Sequence, residues 1–456
     1  MATITFGVAT RDLTPPFPVM LHGYEDRDHP SHVVSEPLQA SALFLEGGGR
    51  GRLVVLALDM IGVQAAEVEL IREDLLRECG LRREEVLVAA SHTHFAPCIS
   101  PQLFAAPSLG VLDPDPRYVS HVRGMVVEVV RESMRVPRQG ELQQHRCDVP
   151  SVLFNRRTIM RDAGPARTVE TNFLYPAEPA RYEFSPVDPE LFTLRIVEAG
   201  VPRAVLANFG CHPVTGGVRG PESHYDISAE YPFYLRQVVG GAWHCPVLFT
   251  LGTAGDAVPL ERSGHSREQI GAVLGNSILM GERVFAASSA GTPGEASVAH
   301  LTVRLEAKAI LPTRGTGAED AYRAARDAWA AAGSREASPE ERERLRAMAL
   351  RAFRARLYPE DSFVIEVDLH RVGDLVLAAF PFEVLADTAL VLKRHRPGVV
   401  VVTTANGYQG YLPKAYEYER GGYEATADST HLVPGTMDRL LELVIAGMDR
   451  LSGRAA

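Results

Sequence analysis

Two histidines, His92 and His94, follow a short apolar run of the sequence and are separated by one residue. In extended backbone, residues two apart project to the same side, so both imidazoles could face one cavity. Two histidines placed in this way can share a metal ion, or one can bind the metal while the other transfers protons. The pair alone equally fits two hydrogen-bonded structural histidines at the end of a strand.

Four further polar side chains also come after apolar runs: His212, Asp256, Glu383 and Tyr411. Each has a simpler explanation by itself. His212 could be an ordinary loop histidine, Asp256 could cap a turn, Glu383 could suit the first turn of a helix, and Tyr411 could pack on the surface. Because ligands of open α/β sheets bind at the carboxyl ends of strands, their joint placement predicts one converging site.

The cysteines indicate which kind of metal site this can be. The five cysteines are widely spaced and form no CxxC pair. This pattern fits reduced thiols in a cytosolic protein better than a disulfide framework or a thiolate zinc site. A metal would therefore be bound by histidine, carboxylate and other oxygen ligands. Two histidines, a glutamate and a tyrosine suit zinc with one open position for water.

Six apolar runs predict the strands that must position these side chains: 52–59, 85–91, 203–209, 246–251, 374–380 and 399–404. Amphipathic patterns predict helices at 67–79, 118–134, 266–287 and 435–451. Runs this apolar are typical of strands that are covered on both faces. The sequence therefore predicts an α/β fold with a central, mostly parallel β-sheet flanked by helices.

The remaining segments predict a single domain over residues 1–456 with additions at its surface. The stretch 318–357 is rich in Ala, Arg and Glu, which predicts a solvated helical insertion or a partner surface. Segments 106–117 and 162–188 are rich in Pro and Gly or in charge, which predicts long loops over the site or in an interface. Homo-oligomerisation is left open.

Bulk composition excludes several classes of function. The formal net charge of −10 and the lack of a Lys/Arg-rich run argue against nucleic-acid binding. The N-terminus has neither a basic region nor a long apolar run, so no signal peptide is predicted. No apolar stretch is long enough for a transmembrane segment. We therefore expect a cytoplasmic protein that acts on a small molecule.

Seven motifs occur in one order along the chain: Asp12–Pro16 with His22–Tyr24, Ser91–His94, Asn155-Arg156, Asn208–His212, Gly255–Pro259, Pro381–Glu383 and Tyr408–Glu424. In this order they resemble the motifs of the catalytic domain of the neutral/alkaline, non-lysosomal ceramidases and their bacterial relatives. The resemblance spans nearly the whole chain, from residue 5 to about residue 430. One such short motif is weak by itself, whereas seven in order are strong.

The resemblance implies a role for each candidate by its position. His92, His212, Glu383 and Tyr411 would be the ligands of Zn²⁺. His94 would transfer protons beside the metal. The fold would be that of the ceramidase catalytic domain.

Three further side chains take roles from the same resemblance, and one position departs from it. Tyr423 and Arg156 would contact the substrate carbonyl, and Asp256 would be a further polar residue of the site. Val258 stands where the family has a serine, so no hydroxyl is available there. The chain also ends where the ceramidases continue into an immunoglobulin-like domain. We therefore expect a cytosolic relative that acts on a more soluble substrate than ceramide.

The predicted function is a zinc-dependent hydrolase that cleaves a carbon–nitrogen amide bond, or an ester bond, with a metal-activated water. Two alternatives stay open. The same metal site could serve acyl transfer, cyclisation or lyase chemistry on a specialised metabolite. The chain could also be a non-catalytic ceramidase-like binding protein, a reading that Val258 favours and the full set of four ligand candidates opposes.

Overall fold

The computed structural model describes residues 2–453, apart from 25–26, 28, 32, 50, 104–110, 163, 165–166, 217–223, 286–293, 427–428 and most of 309–361. The strands are β1 (Ala2–Asp12), β2 (Val34–Glu36), β3 (Gln39–Glu46), β4 (Arg52–Leu58), β5 (Val86–Ala90), β6 (Gln102–Leu103), β7 (Val111–Leu112), β8 (Arg138–Asp148), β9 (Leu153–Asn155), β10 (Arg157–Met160), β11 (Glu170–Thr171), β12 (Tyr182–Phe184), β13 (Glu190–Glu198), β14 (Val201–Phe209), β15 (Ile227–Ser228), β16 (Val247–Leu251), β17 (Ala257–Pro259), β18 (Gly294–Glu295), β19 (Val298–Lys308), β20 (Ser362–Val372), β21 (Leu375–Ala379) and β22 (Val399–Val402). The helices are α1 (Ala65–Cys79), α2 (Pro116–Arg135), α3 (Tyr231–Trp243), α4 (Ser266–Met280), α5 (Glu282–Phe285), α6 (Ala386–His395), α7 (Ala415–Arg420) and α8 (Thr436–Leu451).

A nine-stranded sheet, in the order β16-β14-β13-β8-β1-β3-β4-β5 with β18 beside β1, forms the centre of the molecule. The predicted α/β class, with a large central sheet flanked by helices, is confirmed. The prediction of mostly parallel strands is wrong for this sheet, because its only parallel pairs among the described residues are β4/β5, β14/β16 and the short β1/β18 pair. Short connections such as the one between β13 and β14 permit antiparallel pairing alone, whereas parallel strands need a longer crossover.

A second sheet, in the order β19-β20-β21-β22, packs on the first, so the fold has four layers. Alternate residues of one strand enter different layers: Leu56 of β4 packs towards helices α1 and α2, and Val55 packs towards Leu377 of β21. Val376, the neighbour of Leu377, packs with helices α6 and α8 on the outer face. The strands are apolar on both faces because both sheets are covered on both sides, whatever the direction of their strands.

Residues 403–406, which we call the bridging segment, join the two edges of the large sheet at the carboxyl ends of their strands. The backbone N–H of Thr403 donates to the carbonyl of Leu251 in β16 at 2.9 Å. The N–H of Ala90 in β5 donates to the carbonyl of Thr404 at 3.2 Å. The bridging segment therefore holds the ends of β5, β16 and β22 close together.

All six predicted strands are present within a few residues of their predicted ends, and so are the helices predicted at 67–79, 118–134 and 435–451. The helix predicted at 266–287 is divided at Gly281 into α4 and α5, and helices α3, α6 and α7 were not predicted. The predicted insertion 318–357 lies mostly outside the described residues, although 339–342 are helical. Residues 106–110 of the first predicted loop also lie outside them.

All five cysteines are free, as expected. Within the described part of the chain, no helix is both long and apolar enough to cross a bilayer.

Candidate metal centre

The four predicted metal ligands come from both sheets and meet at one point. His92 follows β5 and His212 follows β14, both in the large sheet. Glu383 follows β21 and Tyr411 lies beyond β22, both in the small sheet, and a β-bridge pairs these two residues. The backbone of His92 has a left-handed φ of 66°, which is uncommon outside glycine and costs energy. The surrounding core holds this conformation, since His92 is fully buried.

Three imidazoles are oriented by backbone carbonyls. The Nδ1 atom of His92 lies 2.6 Å from the carbonyl of Ile61, that of His94 lies 3.0 Å from the carbonyl of Gly23, and that of His212 contacts the carbonyl of Ala254. A carbonyl oxygen only accepts hydrogen bonds, so each Nδ1 must carry the proton. Burial lowers the pKa of His212 to about 4 and that of His94 well below its usual value. The rings of His94 and His212 are therefore neutral, and each of them presents an unprotonated Nε2.

These Nε2 atoms and one carboxylate oxygen face each other at short range. The Nε2 of His92 lies 3.2 Å from that of His212 and 3.4 Å from that of His94. The Oε2 of Glu383 lies 3.3 Å from the Nε2 of His92 and 3.0 Å from that of His212. Ligand atoms about 2.0–2.1 Å from a tetrahedral zinc ion are separated by about 3.3–3.4 Å, so the spacing fits zinc.

The electrostatics of this group also fit a cation. Glu383 Oε2 is buried and has no hydrogen-bond donor among the described residues. The Nε2 lone pairs of His94 and His212 and the Glu383 carboxylate would repel one another without a positive charge between them. The donor set therefore fits a divalent metal ion.

Two tyrosines and an arginine surround the carboxylate. The hydroxyl of Tyr408 donates to the Oε1 of Glu383 at 2.7 Å, which leaves Oε2 for the centre. The hydroxyl of Tyr411 accepts a hydrogen bond from Arg156 at 3.0 Å. Burial, and then the charge of Glu383, raise the pKa of Tyr411 well above its usual value. Tyr411 is thus a neutral phenol, and it would have to lose its hydroxyl proton to become a strong ligand of a metal ion.

Arg156 is held rigidly at the side of the site. Its Nε donates to Glu424 at 2.7 Å, and its Nη2 donates to the carbonyl of Gly255 at 2.8 Å. The guanidinium lies 5.3 Å from the centre of the Tyr423 ring, and the Tyr423 ring is 5.6 Å from that of Tyr411. The structure thus brings Arg156 and Tyr423 together with the candidate ligands.

Asp256, by contrast, does not reach the cavity. Its carboxylate accepts hydrogen bonds from the side chain of Asn155 at 2.7 Å and from the N–H of Ala386 at 2.8 Å. Burial raises the pKa of Asp256 to about 7. These contacts tie the end of β9, next to Arg156, to the start of helix α6. Val258, at the position of the family's serine, is buried in β17 and does not line the cavity either.

A cavity of about 330 Å³ opens onto this centre. Six predicted site residues line it: His94, Arg156, His212, Glu383, Tyr411 and Tyr423. His92 does not line it, and its side chain is fully buried. The predicted loop 162–188 reaches the wall through Phe173.

Sequence reasoning gave no role to three polar side chains of the cavity wall: Tyr24, Tyr408 and Arg262. Tyr408 and Tyr24 lie within motifs already quoted, so their types could have drawn attention. Nothing in the sequence around Arg262 indicates that it faces the site.

Comparisons with known proteins find similarity in structure alone. No known family profile matches the chain, and neither does any curated protein sequence. The structure of neutral ceramidase from Pseudomonas aeruginosa matches with a TM-score of 0.72 and 18% identity, covering 100% of this chain and 75% of that one. A ceramidase complexed with C2 matches with a TM-score of 0.71 and 16% identity, covering 100% and 76%. The resemblance seen in the motifs is thus confirmed at the level of architecture: this chain has the fold of the neutral ceramidases.

Proposed function

We propose that this protein is a zinc-dependent hydrolase that cleaves an amide or ester bond in a small molecule. The observation that supports it most is the group of imidazole Nε2 atoms and one carboxylate oxygen, spaced like zinc ligands beside a cavity. The ceramidase fold supports hydrolysis as the reaction class. The proposal takes C–N bonds as the first choice because the matching structures are of ceramidases.

Four residues would hold the ion: His92, His212, Glu383 and Tyr411. Zinc bound there supplies a Lewis acid that polarises a carbonyl group and lowers the pKa of water to about 7. His92 is fully buried and does not line the cavity, which favours metal binding over direct contact with the substrate. Tyr408 supports the set by fixing the orientation of the Glu383 carboxylate.

His94 would act as the proton carrier. It lines the cavity, and its ring centre is 5.8 Å from that of His212, farther than the 4.8 Å between His92 and His212. Its Nδ1–H is fixed on the carbonyl of Gly23, so its Nε2 can accept a proton from water. The same carbonyl stabilises the imidazolium that results, which can then protonate the leaving nitrogen or oxygen.

Arg156 and Tyr423 would stabilise negative charge on the substrate carbonyl oxygen. Glu424 and the carbonyl of Gly255 fix the guanidinium of Arg156 before a substrate enters. Donors that are oriented in advance need no reorganisation when the charge develops, so they favour the transition state over the ground state.

The ligand assignment is tested by His92→Ala. We expect the variant to lose both bound zinc, measured by elemental analysis, and turnover of an amide and ester panel. The control is His265→Ala, since the His265 side chain is 77% exposed and far from the described ligands in sequence. Stoichiometric zinc in His92→Ala would show that the assignment is wrong.

The reaction class needs a separate test, because acyl transfer, cyclisation and lyase chemistry could use the same metal site. Hydrolysis in ¹⁸O-labelled water must place solvent oxygen in the acid product. Turnover without that label would favour one of the other three reactions. A zinc-loaded protein that turns over no member of the panel would favour a binding protein.

A further inference from the structure

Arg262 is a cation on the cavity wall with no counter-charge. Among the described residues it makes no ion pair and no hydrogen bond, and its Nε atom is buried without an acceptor. The other arginine of the wall, Arg156, is neutralised by Glu424 at 2.7 Å. An arginine stays charged in proteins, so this guanidinium is a positive charge held partly out of water.

The acidic side chain whose charge acts on Arg262, Glu230, is already engaged. The carboxylate of Glu230 accepts hydrogen bonds from the hydroxyl of Thr215 at 2.5 Å and from the N–H of Gly216 at 2.8 Å, and it also faces Arg267 at 3.7 Å. Keeping an arginine partly buried without a partner is costly. A ligand that supplies the missing negative charge would remove this cost.

Arg262 also lies close to the centre of reaction. Burial raises the pKa of Tyr24 to about 12, and the charge of Arg262 is the strongest influence that lowers it. The Tyr24 ring is 5.4 Å from the ring of His94. Glu383 is the one acidic side chain among the described residues of the wall. With a divalent ion on Glu383, the cavity would therefore carry a net positive charge.

We infer that Arg262 binds a carboxylate of the substrate, so that the enzyme acts on amides or esters that carry a carboxylate group. A guanidinium matches a carboxylate in a two-point hydrogen bond. One free arginine balances a monoanion, whereas a phosphate monoester carries a charge of about −1.5 to −2. The cavity of about 330 Å³ is at the lower end of the size of ligand sites, which suits a compact charged substrate.

This inference rests on the proposed hydrolase function, and matched substrate pairs test the two separately. One pair is N-hexanoylglycine and N-hexanoylglycinamide, which differ by the charge on the amine side. The other is glutaric acid monoanilide and butyranilide, which differ by a carboxylate on the acyl side. Initial rates are measured for the zinc-loaded wild type and for Arg262→Ala, Arg262→Lys and Arg181→Ala. Arg181 is a matched control on the surface, with 55% of its side chain exposed.

We expect the wild type to prefer the charged member of at least one pair by about 10- to 100-fold in kcat/KM, as for a charge-assisted hydrogen bond. Arg262→Ala should lose this preference, with unchanged zinc content. Arg262→Lys should keep part of the preference, and Arg181→Ala all of it.

The inference is overturned if the wild type turns over both members of each pair equally, or if Arg262→Ala keeps the preference. If no compound is turned over, the hydrolase proposal fails for this panel, and calorimetric binding of the same compounds decides the inference. Tighter binding of a charged member that disappears in Arg262→Ala would support it, and equal binding of charged and neutral members would overturn it.

Discussion

Replacing Glu424 by glutamine should destabilise the protein strongly without changing the shape of the side chain. The Glu424 carboxylate is completely buried between two arginines, with Arg156 at 2.7 Å and Arg157 at 2.6 Å. Glu424→Gln removes the negative charge and places an NH₂ group against one of the two donors. Arg157 keeps a second carboxylate, Glu417, whereas Arg156 loses the one that neutralises it.

The magnitude follows from these contacts. Two hydrogen bonds to a charged group contribute about 1.5–3 kcal/mol each, and breaking a buried ion pair by removing one partner costs about 3–5 kcal/mol. We therefore expect the free energy of unfolding to fall by about 3–5 kcal/mol. Turnover should fall as well, because Arg156 would no longer be fixed beside Tyr423.

Urea denaturation of the metal-free protein at pH 7 measures the change without a contribution from zinc binding. The control is Glu178→Gln, since the Glu178–Arg181 pair is on the surface with side chains 70% and 55% exposed. Such a pair contributes about 0–1 kcal/mol. A loss below about 1 kcal/mol in Glu424→Gln, similar to the control, would refute the view that this buried pair holds Arg156 in place.

The pH dependence gives a second measurement on the same variant. Burial favours the neutral form of Glu424, but Arg156 and Arg157 outweigh it and hold the pKa below its usual value. A carboxyl group with a lowered pKa in the folded state contributes stability above its unfolded pKa of about 4.3, and this stability is lost as pH falls through the folded pKa. Acidification below about pH 4.3 should therefore cost the wild type more stability than Glu424→Gln.

Three other substitutions separate the roles proposed for the centre. Tyr408→Phe should weaken zinc binding by about 10- to 100-fold in a chelator competition, because Glu383 loses its orienting donor; a change below twofold would contradict this. His94→Ala should keep zinc but lose about 10²- to 10⁴-fold in kcat, whereas loss of zinc would identify His94 as a third imidazole ligand. Asn406→Ala should cost about 1–3 kcal/mol in urea denaturation, since the Val88 N–H and Asp368 lose partners at 2.8 Å; an unchanged midpoint would count against it.

The positions of the candidate ligands could be predicted because they depend on local patterns. An apolar run that ends in a polar residue marks the end of a strand, and the ends of β5, β14, β21 and β22 do supply them. The direction of pairing could not be predicted, because an apolar strand has the same composition in a parallel and in an antiparallel sheet. The packing of one sheet on the other was not predicted either, because an apolar strand face has the same composition whichever element covers it.

The roles of individual residues were likewise predictable only in part. The residues by themselves do not distinguish His92 from His94, and only the family resemblance does. The structure adds that His94 lines the cavity and His92 does not. Asp256 was predicted as a site residue, yet its contacts join a turn to helix α6. Arg262 could not be predicted, since the lack of a partner for a cation is a property of the folded chain.

The meeting of the two sheets at the metal centre has a consequence for folding. His92 and His212 are 120 residues apart in the chain, and the remaining candidate ligands lie beyond both, in the second sheet. Zinc would then act as a crosslink between distant parts of the chain, and it would stabilise the native state by about 2.7 kcal/mol at a free concentration 100 times its Kd. A nascent chain that ends before β21 lacks half of the ligands. Zinc uptake would therefore report completion of the fold during synthesis.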